Sequence, residues 1–219
     1  MSDITIRDGT KEEWIYAVDE MYKQHRYFAS YDDFEVLKKA CGSEYQFLVA
    51  RTDKDEFVGC ISLAACSGEY AVLDNYFVMP QFRGGGRGRA LFEAVCTQLA
   101  REKYNLALHS EPSLSDYYAK HGFTTKLDYK IHVLNLSNLK RIDLSDEHHL
   151  SILEKPTEIE RNDFYDYDSK VWRHPRRAFL SAWLQRGDAR VLVSRLSDSC
   201  WNACGHSKIL WGEVKGEFL

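Results

Sequence analysis

Arg83-Gly84-Gly85-Gly86-Arg87-Gly88-Arg89 is the stretch of this chain best suited to chemistry. Ala71 to Val78, just before it, is apolar and aromatic and predicts a strand. Leu91, Phe92, Val95, Cys96 and Leu99, just after it, recur at helical spacing and predict one apolar stripe. The glycines therefore stand where a strand turns into a helix. A helix start offers amides that precede the first intrahelical bond, together with the positive end of the helix dipole. Glycine lets the backbone take positive φ and come close to a ligand. With Arg83, Arg87 and Arg89 adding charge, the stretch predicts an anion cradle. Two phosphate loops do not fit it. No Lys-Ser or Lys-Thr follows the glycines, and Arg89 and Leu91 occupy the third glycine positions that a dinucleotide fingerprint needs.

Stepping outward along the chain, Asp3 to Arg7 alternates polar and apolar and predicts a first strand. Thr10 and Glu13 form a capping box ahead of a helix bearing Trp14, Ile15, Val18 and Met21. Gln24 to Ser30 reads as loop, and Ser30-Tyr31-Asp32-Asp33 caps a second helix with Phe34, Leu37 and Ala40. Tyr45 to Arg51 and Phe57 to Ala65 predict a hairpin about the turn Asp53-Lys54-Asp55. Leu106 to His109 predicts a short buried strand. Pro112-Ser113 opens a helix that ends at Gly122, and Lys126 to Leu136 supplies the closing strand or strands.

From Ser137 the character changes. His174 to Leu184 predicts a helix with Pro175 in its first turn and Gly187 as its stop, followed by a strand at Arg190 to Arg195. Ser197 to His206 fits no known pattern; a shortened or alternative terminus would expose an apolar tail at Leu210, Trp211 and Leu219. Cys200, Cys204 and His206 are three soft ligands where a structural zinc site wants four, so no metal is expected.

Composition bounds the partners. The 219 residues suffice for one good core and a small extra unit, and a net charge of −4 argues against a general nucleic-acid binder. No run approaches the roughly 18 apolar residues of a membrane span. The six cysteines show no framework spacing and the N-terminus no export signal, so a reducing cytoplasm is the expectation.

The pattern Val78-x-Pro80-x-x-Arg83-x-x-Gly86-x-Gly88 resembles the acetyl-CoA signature of the GNAT (GCN5-related N-acetyltransferase) superfamily. Tyr118-x-Lys120-x-Gly122-Phe123 resembles that family's second motif, in the right order downstream. The resemblance implies an α/β (α+β) fold with a mixed, mostly antiparallel sheet flanked by helices. It covers a domain at 1–136, leaving 137–219 as a small α/β extension. Tyr167-Asp168, Arg176, Phe179-Leu180 and Trp183-Leu184 loosely resemble the second unit of a GNAT group abundant in nematodes.

By the same resemblance, backbone amides from Arg83 through Gly84, Gly85, Gly86, Arg87, Gly88 and Arg89 hold the coenzyme A pyrophosphate. Main-chain groups of Phe77, Val78 and Met79 meet the thioester, and Tyr118 acts as the general acid, although a tyrosine packed between helix and sheet fits the spacing too. An amine acceptor is mostly protonated at neutral pH and needs a base. Asp74 is the first candidate, and strand alternation puts it on the face of Tyr76 and Val78; His109 and Glu111 are the alternatives. The acceptor pocket would lie under the loop between the first two helices, where Asp32 or Asp33 either holds a cation or simply favours the helix start. Cys96, on the apolar stripe, is not expected to carry an acyl group. The expected function is acetyl-CoA-dependent N-acetylation of a primary amine by direct attack in a ternary complex, with a non-catalytic acyl-CoA-binding or interaction module as the alternative and a homodimer left open.

Overall fold

The computed structural model describes residues 4–25, 29–66, 68–126, 150–152, 158–172, 174–186, 189–197 and 200–208. The chain divides into two units, Met1–Thr125 and Lys126–Leu219. Of the closing strands expected at Lys126 to Leu136, residues 127–136 lie outside the described residues, as does the apolar tail beyond Lys208.

The first unit is built on a five-stranded sheet in the order β1-β2-β3-β4-β5. β1 (Ile4–Asp8), β2 (Tyr45–Thr52), β3 (Phe57–Ala64) and β4 (Tyr70–Val78) pair antiparallel, whereas β5 (Asn105–Leu108) runs parallel to β4. β3 is buried along nearly its whole length, as a central strand covered on both faces must be. One face carries α1 (Lys11–His25) and α2 (Asp33–Cys41). There Trp14, Phe34, Phe47, Cys60 and Phe77 pack together, with Trp14 and Phe47 edge to face at 5.1 Å. The other face carries α3 (Arg87–Val95), with Leu91, Phe92 and Val95 buried against Ile61, Leu63 and Leu73.

Local sequence explains the first entry into helix. Glu13 N–H donates to the Thr10 hydroxyl at 3.3 Å, and the Thr10 amide donates back to Glu13 Oε2 at 3.0 Å. Arg7 and Arg51 also donate to this buried carboxylate. Burial alone would raise its pKa; the hydrogen bonds from Arg7, the Thr10 amide and Arg51 reverse that and bring it down to about 2.

The single apolar stripe through Leu99 is corrected. α3 ends at Val95, Thr97 caps a separate α4 (Gln98–Lys103) by accepting from the Ala100 amide at 3.2 Å, and Leu99 is 71% exposed. A threonine at that position competes for the backbone and restarts the helix. Cys41, at the end of α2, is disulfide-bonded to Cys66, beyond β3.

In the second unit, α6 (Glu158–Trp172) and α7 (Arg177–Trp183) accompany a three-stranded antiparallel sheet of β6 (Leu150–Ile152), β7 (Ala189–Ser197) and β8 (Cys200–Lys208). α6 contains the acidic and aromatic run at 162–168, and Pro175 precedes α7 rather than opening it. Arg176 makes a bidentate pair with Asp168, joining the two helices. The stretch without a known pattern forms β8; the side chains of Cys200, Cys204 and His206 lie outside the described residues.

Candidate active site

β4 is the element that positions the site. Its pairing with β5 runs from Tyr70↔Asn105 to Leu73↔Leu108 and stops. Among the described residues, no strand pairs with 74–78 on that edge. The two parallel strands thus part at a definite point, and Asp74 and His109 are the first residues beyond the last pair.

On its other edge β4 stays bonded to β3, with a shift of register. Cys60 pairs with Phe77 and Ser62 with Asp74, so β4 contains one extra residue there. The bulge centres on Asn75, at φ 54°, a left-handed conformation that asparagine tolerates better than most residues. Its consequence corrects the sequence reading. Directly paired residues share a face, so Asp74 lies with Ser62, Cys60 and Phe77 toward α1 and α2. Tyr76 and Val78 face α3 instead. Simple alternation fails because the bulge inverts parity between Asp74 and Tyr76.

The main-chain groups at the end of β4 also separate. Met79 N–H donates to the Val58 carbonyl at 2.9 Å. Backbone groups alternate between the two edges, so Phe77 points its amide toward β3 too. Of Phe77, Val78 and Met79, Val78 is the residue that presents N–H and C=O to the open edge. Its carbonyl accepts from Arg83 Nε at 2.9 Å.

Beyond β4, a 3₁₀ turn at Pro80–Phe82 leads into the glycines. Gly84, Gly85 and Gly86 have φ of 83°, 62° and 82°, a run of left-handed residues open only to glycine at low cost. Gly86 is the N-cap of α3, and no side chain caps that helix. The first intrahelical bond is Ala90 N–H to Gly86 O, so the amides of Gly88 and Arg89 lie ahead of it. Gly88 serves close approach: a Cβ there would stand 2.8 Å from the Tyr76 hydroxyl. The arginines divide. Arg87 stacks over Phe82 at 5.8 Å, whereas Arg89 pairs with Glu93 one turn along, on the helix surface.

The third piece is α5 (Ser115–Lys120), after a 3₁₀ turn at Pro112–Leu114. It ends in a Schellman motif: Phe123 N–H bonds Tyr118 O and Gly122 N–H bonds Ala119 O, with Gly122 at φ 93°. The rings of Tyr118 and Phe123 meet at 6.2 Å, supplying the apolar contact of that motif. The spacing Tyr118-Gly122-Phe123 is therefore that of a helix stop. Tyr118 is 8% exposed, and burial, then the neighbouring Tyr117 and Cys96, push its phenol up to about 12. It remains a neutral donor throughout the physiological range.

Several participants escaped the sequence reading. Tyr76 and Tyr117 place their hydroxyls 3.3 Å apart, joining β4 to α5. Toward α1 and α2, Asn75 Nδ2 donates to Ser62 Oγ and Ser62 donates to Asp74 O, both at 3.1 Å. The one sequence signal for this second group was a polar pair, Asp74-Asn75, inside an otherwise apolar strand. His109 and Glu111 are exposed, between β5 and the turn before α5. Cys96 is buried, and burial pushes its thiol up to about 11, which disfavours a nucleophilic thiolate. Among the described residues no group of three or more His, Cys, Asp or Glu is arranged to hold a metal, and no helix is long and apolar enough to cross a membrane.

Known proteins share this fold. The family model described as an acetyltransferase (GNAT) domain matches residues 14–132. Among solved structures the chain is similar to a candidate acetyltransferase from Pyrococcus horikoshii. The two share 19% identity and a TM-score of 0.62 over 88% of this chain and 65% of that one, so the chain spans just under two thirds of that protein's length. It is also similar to glucosamine-6-phosphate N-acetyltransferase from Arabidopsis thaliana, with 16% identity and a TM-score of 0.50 over 61% of this chain and 100% of that one. At such identities the likeness is one of fold. No curated protein matches.

Proposed function

Because the chain belongs to the GNAT acetyltransferase family, we propose that it transfers the acetyl group of acetyl-CoA to a primary amine, by direct attack with both substrates bound. The observation that carries this reading is the parting of β4 from β5 beside the uncapped start of α3. A strand edge with an outward amide at Val78 lies next to a left-handed glycine run that fits a diphosphate. A Cβ at Gly88 would meet Tyr76, and side chains at Gly84 to Gly86 would be strained, so the cradle is shaped by missing side chains.

Acetyl-CoA supplies an activated acyl group and a thiol leaving group. The chain does the rest. Amides at the start of α3 bind the diphosphate, and the dipole of that helix favours its charge. Val78 N–H polarises the carbonyl as negative charge grows on its oxygen. Asp74, exposed at the mouth between the strands, takes one proton from the ammonium form of the acceptor and passes it to solvent; His109 is the alternative base, then Glu111. The N–C bond forms as the C–S bond breaks. Tyr118 donates a proton to sulfur, and the second proton shed by nitrogen restores it, so one proton is released per turnover.

Calorimetry with coenzyme A, alongside thiol release from acetyl-CoA over a panel of primary amines, tests the proposal. Micromolar binding with amine-dependent release is expected. Binding without release for any amine would leave a sensing module, and absence of binding would remove the reading altogether.

A further inference from the structure

Among the described residues, two buried side-chain atoms meet no protein hydrogen-bond partner, the Tyr45 hydroxyl and Asn75 Oδ1. Such atoms are rare and costly in folded proteins, because each gives up water for nothing. They lie on the same face of the sheet. Asn75 bonds Ser62, which pairs with Asp74, and the Cys60 thiol donates to the Asn75 carbonyl. Tyr45 begins β2 on that face, its ring against Phe34 of α2, with Asp33, Cys60 and Asp74 within electrostatic reach of its hydroxyl.

The network fixes what is missing. Ser62 donates its single proton to Asp74 O, so Ser62 can only accept from Asn75. The amide of Asn75 must therefore point its nitrogen at Ser62, and the atom left over is its oxygen, a pure acceptor. Asn75 itself is 5% exposed. Its side chain is thus held in place by one bond and offers one unfilled position, at the bulge where β4 leaves β5. What fills it must be a hydrogen-bond donor. The rest of the cluster is acidic or neutral: Asp33, Tyr45, Cys60, Ser62 and Asp74. Burial pushes the Tyr45 phenol and the Cys60 thiol up, so both stay uncharged, and the nearest cation, Lys38, stands over Phe34 with its Nζ 5.5 Å from that ring's centre.

Resting on the acetyltransferase reading above, we propose that this cluster is the acceptor site and that the acceptor is a short aliphatic diamine. The reacting nitrogen donates to Asn75 Oδ1, beside the base Asp74. The second nitrogen, which keeps its proton, lies toward the Tyr45 hydroxyl and Asp33. A reacting amine must become neutral before it attacks, so a site with two carboxylates is better matched by a molecule that retains a second positive charge. An anionic group at that end would meet Asp33 instead.

Three four-carbon acceptors test the class: 1,4-diaminobutane, butylamine and 4-aminobutanoate, which put a cation, a methyl group and an anion at the far end. Thiol release by the full chain should rank them in that order by kcat/KM, with about 10-fold or more between the first two. Direct calorimetry of 1,4-diaminobutane should detect binding in the absence of acetyl-CoA. Tyr45→Phe should raise KM for the diamine about 3- to 10-fold, with unchanged coenzyme A affinity and a thermal midpoint no lower than that of the parent. Asn75→Gly, which keeps the left-handed bulge available, should do the same to KM. Preference for 4-aminobutanoate, equal rates for all three, or failure of the diamine to bind would overturn the class while acetyl transfer to another amine stood. A lowered midpoint in Tyr45→Phe with KM unchanged would show that the hydroxyl is satisfied internally and would overturn the site.

Discussion

Two buried polar clusters flank α1, and they differ in completeness. Around Glu13, every strong group answers another: two arginines and one backbone amide donate to one carboxylate. Around Asn75, the chain of bonds runs from amide to hydroxyl to carbonyl and leaves two atoms over. The first cluster ties β1, β2 and α1 together and has nothing left to offer a ligand. The second spends stability on an unfilled position beside the point where β4 and β5 part. The start of α3 resembles the second, since the left-handed run Gly84–Gly86 leaves its first amides clear of side chains. Completeness marks scaffold, and incompleteness marks the regions where binding is expected.

That contrast can be broken by substitution. The largest effect should fall on the glycine run. Gly86→Asp puts a Cβ at φ 82° and a negative charge where a diphosphate would sit, so coenzyme A affinity should drop at least about 100-fold by calorimetry. Glu13→Gln should act in the opposite way, on stability alone. The carboxylate's pKa is depressed when folded, so its contribution is present above the unfolded pKa and lost as pH falls toward about 2. The variant should lose about 3 kcal/mol near neutral pH. It should also show a flatter acid limb in denaturant titrations between about pH 5 and 2, with coenzyme A affinity unchanged.

Tyr118→Phe should lower kcat about 10- to 100-fold with little change in coenzyme A affinity, read from steady-state kinetics beside calorimetry. Unaltered kcat would leave Tyr118 a packing residue of the helix stop. The smallest effect is the sharpest comparison. Tyr76→Phe removes one partner of a made hydrogen bond and should cost about 1 kcal/mol in chemical denaturation. Tyr45→Phe removes a hydroxyl that has no partner and should cost nothing.

The features legible in the sequence were those set by local chemistry. The Thr10–Glu13 box, the glycine run and the Tyr118-Gly122-Phe123 stop each follow from spacing within a few residues, and each stands in the structure as read. The individual strands and the hairpin were legible from their apolar runs and the turn between them. The bulge did not, because an extra residue is detectable only against the partner strand; its polar signal at Asp74-Asn75 carries no parity. Leu99 misled for a similar reason. Its spacing continues the stripe of α3, but Thr97 restarts the helix and turns Leu99 outward. Tyr45 and Ser62 lie on different strands, far apart in the chain, and only pairing brings them to the same face.

The central claim is that main-chain amides at the start of α3 grip the diphosphate of coenzyme A. Amide hydrogen exchange with and without saturating coenzyme A tests it residue by residue. Protection concentrated in residues 83–89, with Val78 also slowed, is the predicted result. Tight binding that leaves those amides exchanging at their free rates would contradict it.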